Sequence, residues 1–476
     1  MTHPTPDREL ATASHDVEVS PALTAFMREG WAAPTPPHAE PADVAPYAAK
    51  RRAKLSAAFA GRPIVVPAGG LKTRNNDVTH PFRASSDFVW LTGSGGPDAV
   101  LVMTPDGGSH AATLFVRESA ARDESEEFYR DRVHGTLWTG PRPGLAELSA
   151  TLGISTRSLD EVGGVLRSLR DPLVSRGHDP AVDATLPAGT DDAELSAALA
   201  DLRLVKDDWE IEQLAFAAEA SARGFVDVVR ELARAKQSGE RWIEGTFWRR
   251  ARVEGNDVGY STIAAAGAHA CILHWTRDDG PVRDGDLLLL DAGVEARSLY
   301  TADVTRTLPI SGRFSPAQRR VYDLVHAAQE AALAAVRPGA AFHDYWRAAQ
   351  GTLARGLVSW GLLPESAADL DGPDGDLHRR YTLHGTGHML GLDVHDCAAA
   401  RKERYHDGTL EVGHVLTVEP GLYFQTDDLT VPEELRGIGV RIEDDVVVTR
   451  DGHRNLTAAL PRDADAVEAW MARLLG

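Results

Sequence analysis

Cysteine is almost missing from this 476-residue chain, which holds only Cys271 and Cys397 and no Cys-x-x-Cys pair. Two thiols cannot build a disulfide framework, and without paired cysteines there is no thiolate zinc site. Lysine is scarce too: six lysines against 44 arginines, beside abundant Ala and Gly, read as a compositional bias. Positive charge is in deficit, with 50 Lys plus Arg against 70 Asp plus Glu and a net charge of −20. Nucleic acid or an anionic membrane would need a basic footprint, so neither is expected as a partner. No apolar run approaches the ~18 residues of a membrane span. The first 30 residues carry His, Pro, Asp and Glu and no apolar stretch of the signal-peptide kind, which predicts a cytoplasmic protein. What is present is ordinary globular material, 43% hydrophobic and 25% charged. Its length allows roughly two to four domains.

Residues 1–45 are rich in proline and lack periodicity, which marks an extension. From Tyr47 an Ala-rich helix is expected to run to Phe59. Pro63–Val66 and Ala99–Met103 read as short buried strands, and Val89-Trp90-Leu91 as another. The pattern to residue 204 is that of an α/β domain. At Lys206 the character changes. Asp207 and Glu210 form a capping-box pair, and apolar residues recur at helical spacing to about Ala235. Helices follow over 241–252, from Ser315 to Arg337 with Pro316 at the first position and Gln318 closing the cap, and over 342–360. Strands are expected at 261–264, 287–290, 301–308, 415–418, 421–424 and 446–448. The order helix, helix, strands thus occurs twice between 206 and 450, which suits an α+β domain with two-fold-like halves.

The chemistry lies in acids set among apolar strands. Asp291 follows Leu287–Leu290, Asp303 precedes Val304, Glu419 follows Val415–Val418, and Glu443 sits within 438–446. A carboxylate at the end of a buried strand is costly unless paired, protonated or bound to a cation. Any one of them alone is what a strand meeting a turn would leave. Alongside them stands His384-Gly385-Thr386-Gly387-His388-Met389-Leu390-Gly391-Leu392-Asp393-Val394-His395-Asp396, three imidazoles interleaved with glycines. Two divalent cations held by shared carboxylates and one imidazole would neutralise all four acids and could activate a bridging water for hydrolysis. Oxygen and imidazole donors without thiolate favour Mn²⁺, with Co²⁺, Zn²⁺ and Fe²⁺ as competitors.

These motifs, with Cys271–Thr276, Leu290–Gly293, Ala302–Thr307, Thr417–Tyr423 and Gly439–Asp444, come in the order of the metal-dependent aminopeptidase P / prolidase family, which the sequence resembles over about 210–450. The resemblance implies a pita-bread catalytic fold with pseudo-two-fold symmetry. It implies the metal ligands Asp291, Asp303, His388, Glu419 and Glu443, with Asp303 and Glu443 bridging, His388 and Glu419 serving one metal, and Asp291 the other. His274, His384 and His395 match substrate-facing positions. Arg441, on the same strand face as Glu443, would support a ligand carboxylate. Eleven residues separate Asp291 from Asp303, one more than expected, which points to the connection around Arg297-Ser298-Leu299. Thr73–Asp77, Pro81–Arg83 and Ser85–Gly93 resemble the family's N-terminal domain, which limits access to short peptide ends. Asp77 and Tyr129 align with positions that could close the cleft.

The expected organisation is an extension (1–45), an N-terminal α/β domain (46–204) and a catalytic domain (205–476). The expected enzyme removes the first residue from peptides with proline second, using a hydroxide between two metals. Glu419 would shuttle the proton, with His274, His384, His395 and Arg441 as further catalytic and substrate-binding groups. A homo-oligomer, dimer or tetramer, is expected. Prolidase activity on Xaa-Pro dipeptides is the nearest alternative, and a non-catalytic peptide-binding protein on the same fold a more distant one.

Overall fold

The structure, a computed structural model, describes residues 19–32, 39–122 and 125–475. The Pro-rich extension therefore lies partly outside the described residues. Within it, 19–32 hold a short helix, Pro21–Met27, where no regular element is expected. Ser20 caps it by accepting from the Leu23 N–H, and Pro21 takes the first position, where a missing N–H removes no bond.

The chain divides into two compact units, Met1–Leu195 and Ser196–Gly476. The division falls inside the helix Asp192–Leu204, just ahead of the change of character at Lys206. The first unit is built on a five-stranded mixed sheet in the order Ser155–Ser158, Ser109–Val116, Val100–Asp106, Ile64–Pro67, Leu173–Val174. The inner pairs are antiparallel and the two outer strands join parallel. Ile64–Pro67 is buried throughout, as its unbroken apolar run requires. The expected helix is present as Ala45–Ala58. The expected strand Val89-Trp90-Leu91 is corrected: those residues lie in the helix Ser86–Thr92, which ends at Gly93 in the left-handed region (φ 71°). Tertiary packing overrides the strand propensity of Val and Trp there. Arg51 and Arg52 of Ala45–Ala58 donate to the carbonyls of Trp90 and Leu91, which the last turn of that helix leaves without intrahelical partners.

In the second unit the helices Asp208–Arg230 and Glu240–Glu254 precede an antiparallel three-stranded sheet, Thr305–Pro309, Leu287–Asp291, Ile263–Ala266. The helices Pro316–Ala335 and Phe342–Ser359 then precede a second one, Val415–Val418, Asp444–Thr449, Gly452–Asn455. Each half thus repeats a helix pair and a three-stranded sheet. Both expected caps form, Asp207 with Glu210 and Ser315 with Gln318. One large core joins the halves, from Phe225 and Leu290 to Leu353 and Val446. Two expected strands are shorter than the sequence suggests. Thr301–Leu308 begins only at Thr305, and the run 438–446 breaks at Ile442–Glu443 between Gly439–Arg441 and Asp444–Thr449. Both breaks fall beside acids, which leave the ladder to face a cavity instead. The connection at Arg297–Leu299 is a tight hairpin. Ala296 N donates to Tyr300 O at 2.8 Å and Leu299 N to Ala296 O at 2.8 Å. Leu299 sits at φ 69°, a conformation a leucine tolerates poorly. Among the described residues no helix is long and apolar enough to cross a membrane.

Candidate metal centre

The two half-sheets deliver their acids to one place. Asp291 is the last residue of the central strand Leu287–Asp291, opposite Thr305. Asp303 stands two positions before Thr305–Pro309, and its N–H donates to Asp445 Oδ2 at 3.1 Å. From the other half, Glu419 follows Val415–Val418, and Glu443 occupies the break described above, its N–H donating to Thr305 O at 3.0 Å. His388 is laid along the same strand by Thr417 N, which donates to the His388 carbonyl at 2.9 Å, and by the Met389–Leu416 bridge. Gly387 makes that approach possible, because a Cβ there would stand 2.0 Å from the Thr417 carbonyl oxygen.

The result is a cavity of about 610 Å³ lined by Asp291, Asp303, His388, Glu419 and Glu443 together with His274, His384, His395 and Arg441. Asp303, His388 and Glu443 each offer a donor atom within 4.8 Å of the others. His388 Nε2 lies 3.3 Å from Asp303 Oδ2 and 3.5 Å from Glu419 Oε1. Its Nδ1 donates to the Met389 carbonyl at 3.1 Å, which leaves the Nε2 lone pair for a metal. Asp291 is gripped on both oxygens, by Tyr260 Oη at 2.6 Å and by Arg441 Nη2 at 2.5 Å. A carboxylate has lone pairs to spare, so this grip orients Asp291 without exhausting it. Arg441 Nη1 also donates to Tyr423 Oη at 2.9 Å and its Nε to Thr305 Oγ1 at 3.1 Å, while Thr305 Oγ1 donates to Glu443 Oε2 at 2.6 Å.

Electrostatics sort these groups. Burial raises the carboxyls of Asp291, Glu443 and Glu419, the last to about 7, and the charge of Asp303 pushes each the same way. Burial opposes the Asp303 anion most strongly too, but the hydrogen bond and charge of His388, with Tyr260 and Arg441, together outweigh it and take that carboxyl down. His388 answers in kind: burial disfavours its cation, yet Asp303 and Glu419 hold it up at about 9. His384, buried and facing the Arg441 charge, falls to about 3 and stays neutral. Four buried acids converging on one imidazole repel one another as anions, and divalent cations relieve that repulsion. Carboxylate and imidazole donors fit such ions.

All nine expected residues of the catalytic half line this one cavity. His384 Nε2 meets Tyr423 Oη at 2.8 Å and its Nδ1 lies 3.4 Å from Glu419 Oε2. His395 packs edge-on to His388, ring centroids 4.3 Å apart. His274 is exposed at the rim. Asp77 and Tyr129 lie in the first unit, Asp77 accepting from Arg132 Nη1 at 3.2 Å and Tyr129 Oη 3.2 Å from Thr24 Oγ1. Sequence reasoning missed Tyr260, Tyr423, Thr305 and two buried hubs. Glu240, fully buried, accepts from Ala266 N, His269, Trp275 and Gly280 N, and so folds the segment bearing His274. Asp396 takes Lys206, Arg203 and Cys397 beside His395. The only sequence signal for Asp396 was its place at the end of the histidine stretch, and Glu240 had none.

Residues 212–450 match metallopeptidase family M24, and residues 48–173 match the aminopeptidase P N-terminal domain. Over 96% of its length the chain is 58% identical to Xaa-Pro aminopeptidase 2 of Streptomyces coelicolor, covering 97% of that protein. It is 33% identical to Xaa-Pro aminopeptidase of Escherichia coli, over 89% of this chain and 96% of that one. The solved structure of E. coli aminopeptidase P with the inhibitor Pro-Leu superposes with a TM-score of 0.78 at 31% identity, over 90% of this chain and 98% of the other.

Proposed function

The chain belongs to metallopeptidase family M24 and is a metallo-aminopeptidase, and from that premise we propose that it releases the first residue of peptides whose second residue is proline. Relatives named Xaa-Pro aminopeptidase support that specificity. The observation that carries the chemistry is the convergence of Asp303, His388 and Glu443 donors within 4.8 Å, with Asp291 and Glu419 on the same cavity wall.

On this reading Asp291, Asp303, His388, Glu419 and Glu443 would hold two divalent ions, Mn²⁺ foremost. When bound, such ions would supply a water nucleophile activated at neutral pH and polarisation of the scissile carbonyl. Glu419, on the cavity wall with Oε2 3.4 Å from His384 Nδ1, is placed to take a proton and return it to the leaving prolyl nitrogen. That nitrogen belongs to a tertiary amide and offers no N–H, so recognition rests on ring shape. Ile263, Leu273 and Val394 supply apolar wall for it. Neutral His384, with His274 and His395, is placed to donate to the carbonyl oxygen as charge develops there. Arg441 holds Asp291 and orients Tyr423 toward His384.

Residues 46–204 form the N-terminal domain, with Asp77 and Tyr129 as its candidate substrate-binding residues, and 205–476 the catalytic domain, in a cytoplasmic homo-oligomer. A panel of Xaa-Pro-Xaa tripeptide, Xaa-Pro dipeptide and Xaa-Ala-Xaa control under defined Mn²⁺ tests the function. Cleavage of the tripeptide well ahead of both others is expected. A preference for the dipeptide would make the enzyme a prolidase, and equal rates on the Ala control would remove the proline specificity.

A further inference from the structure

The first unit contains a second cavity, of about 380 Å³. Arg52 and Ser56 of the helix Ala45–Ala58 form one wall, with Met103, Ser109 and His110 opposite and Ser155 at the edge. None of its lining residues is acidic, although the whole chain carries a net charge of −20.

Arg52 is the unusual member. It is only 8% exposed. Its Nη1 donates to the Leu91 carbonyl at 2.7 Å, yet among the described residues no carboxylate pairs with it. Its remaining nitrogens are not sealed in the core. Burial, with nothing opposing it, pulls the guanidinium down to about 10. A desolvated cation without a counter-charge is costly, and an anion in the cavity it lines would remove that cost. The other side chains suit such a guest. His110 Nε2 donates to the Arg62 carbonyl at 2.7 Å and its Nδ1 lies 2.8 Å from Ser56 Oγ. The imidazole is thereby fixed in place as part of the wall. Ser155 is exposed at the rim, and its hydroxyl has no hydrogen-bond partner among the described residues.

We propose that this cavity binds a small oxyanion, with the Arg52 guanidinium as its charge partner and the Ser155 hydroxyl as a second donor. The planar fork of Arg52 matches two oxygens of a phosphate or a carboxylate.

Calorimetric titration of the metal-loaded full-length protein with inorganic phosphate, acetate and chloride at matched ionic strength tests it. Saturable binding of phosphate or acetate beyond chloride is expected, and which of the two binds tells a phosphate guest from a carboxylate one. Ser155→Asp places a negative charge at an exposed position and should weaken that binding at least tenfold with peptidase activity unchanged. Arg52→Met keeps the stem and should abolish it. Phosphate can also reach the metal centre, so the comparison with Ser155→Asp is decisive. Equal affinity in the wild type and Ser155→Asp, or no binding beyond chloride, would overturn the proposal.

Discussion

Asp396 offers the sharpest test of how the site is held. Its side chain is 2% exposed and sits between Lys206 (1%) and Arg203 (7%), with Lys206 Nζ 2.8 Å from Oδ2 and Arg203 hydrogen-bonded to Oδ1. Cys397 Sγ donates to it at 3.2 Å, and Gly391 packs so closely that a Cβ there would lie 2.3 Å from Oδ2. Asp396→Asn keeps the volume but leaves buried Lys206 without the carboxylate it touches and Arg203 with its bond to the exposed Asp393, a change that costs about 3–5 kcal/mol. Against a typical stability of about 5–15 kcal/mol the variant should still fold. The sign with pH follows from both partners. Burial alone would raise the Asp396 carboxyl, but Arg203 and Lys206 hold it well below the usual range, so its contribution is present above its unfolded value and lost as pH falls through the folded one. Burial alone would lower Lys206, but Asp396 raises it, so its contribution is present below its unfolded value and lost as pH rises through the folded one. The loss in Asp396→Asn should therefore be flat from about pH 5 to 9. Urea unfolding of the wild type, Asp396→Asn and Asp396→Asn with Lys206→Met measures it, the double variant recovering part of the loss. The neighbouring His395 should be misplaced, raising KM more than it lowers kcat. A loss below about 1 kcal/mol, or a double variant no milder than the single one, would refute the ion network as the anchor of this stretch.

Glu419→Gln should lose nearly all turnover, a factor of about 10² or more, while circular dichroism stays unchanged; a metal-replete, fully active variant would end its role as proton carrier. Gly387→Ala drives a methyl group to 2.0 Å from the Thr417 carbonyl oxygen, so His388 must shift. Metal content by mass spectrometry should fall, and full loading would show that the close approach is dispensable. Asp278 is 2% exposed, and burial lifts its carboxyl to about 7. Its folded form prefers the proton, so stability falls as pH rises from about 4 to 7, and Asp278→Asn should regain up to about 4 kcal/mol at pH 8. Equal unfolding free energies at pH 8 would contradict this. Chelation should abolish activity and lower Tm, both restored by Mn²⁺, since the ions offset the repulsion among Asp291, Asp303, Glu419 and Glu443; a Tm indifferent to chelator would argue against that coupling.

Much of the catalytic half was legible along the chain because its signals are local. Caps at Asp207 and Ser315 depend on residues three apart, and Leu287–Leu290 announces burial by composition. The acids at the ends of those strands stood out because a charge beside an apolar run needs a reason. Val89–Leu91 was misread because a three-residue apolar run has no period of its own, and the arginines that favour its helical form sit on another helix. Thr301–Leu308 and 438–446 read longer than they are, since a break in pairing is set by the partner strand.

The sequence by itself determined the donor types, their order and the elements that carry them, because hydrophobic pattern, caps and residue chemistry are written within a few positions. Only the tertiary structure decided which atoms meet. It set Tyr260 and Arg441 on Asp291, turned His388 Nδ1 to a carbonyl so that Nε2 faces Asp303, and buried Glu240 and Asp396 as hubs. Those contacts join residues far apart in the chain, and their energies arise from burial that no local pattern records.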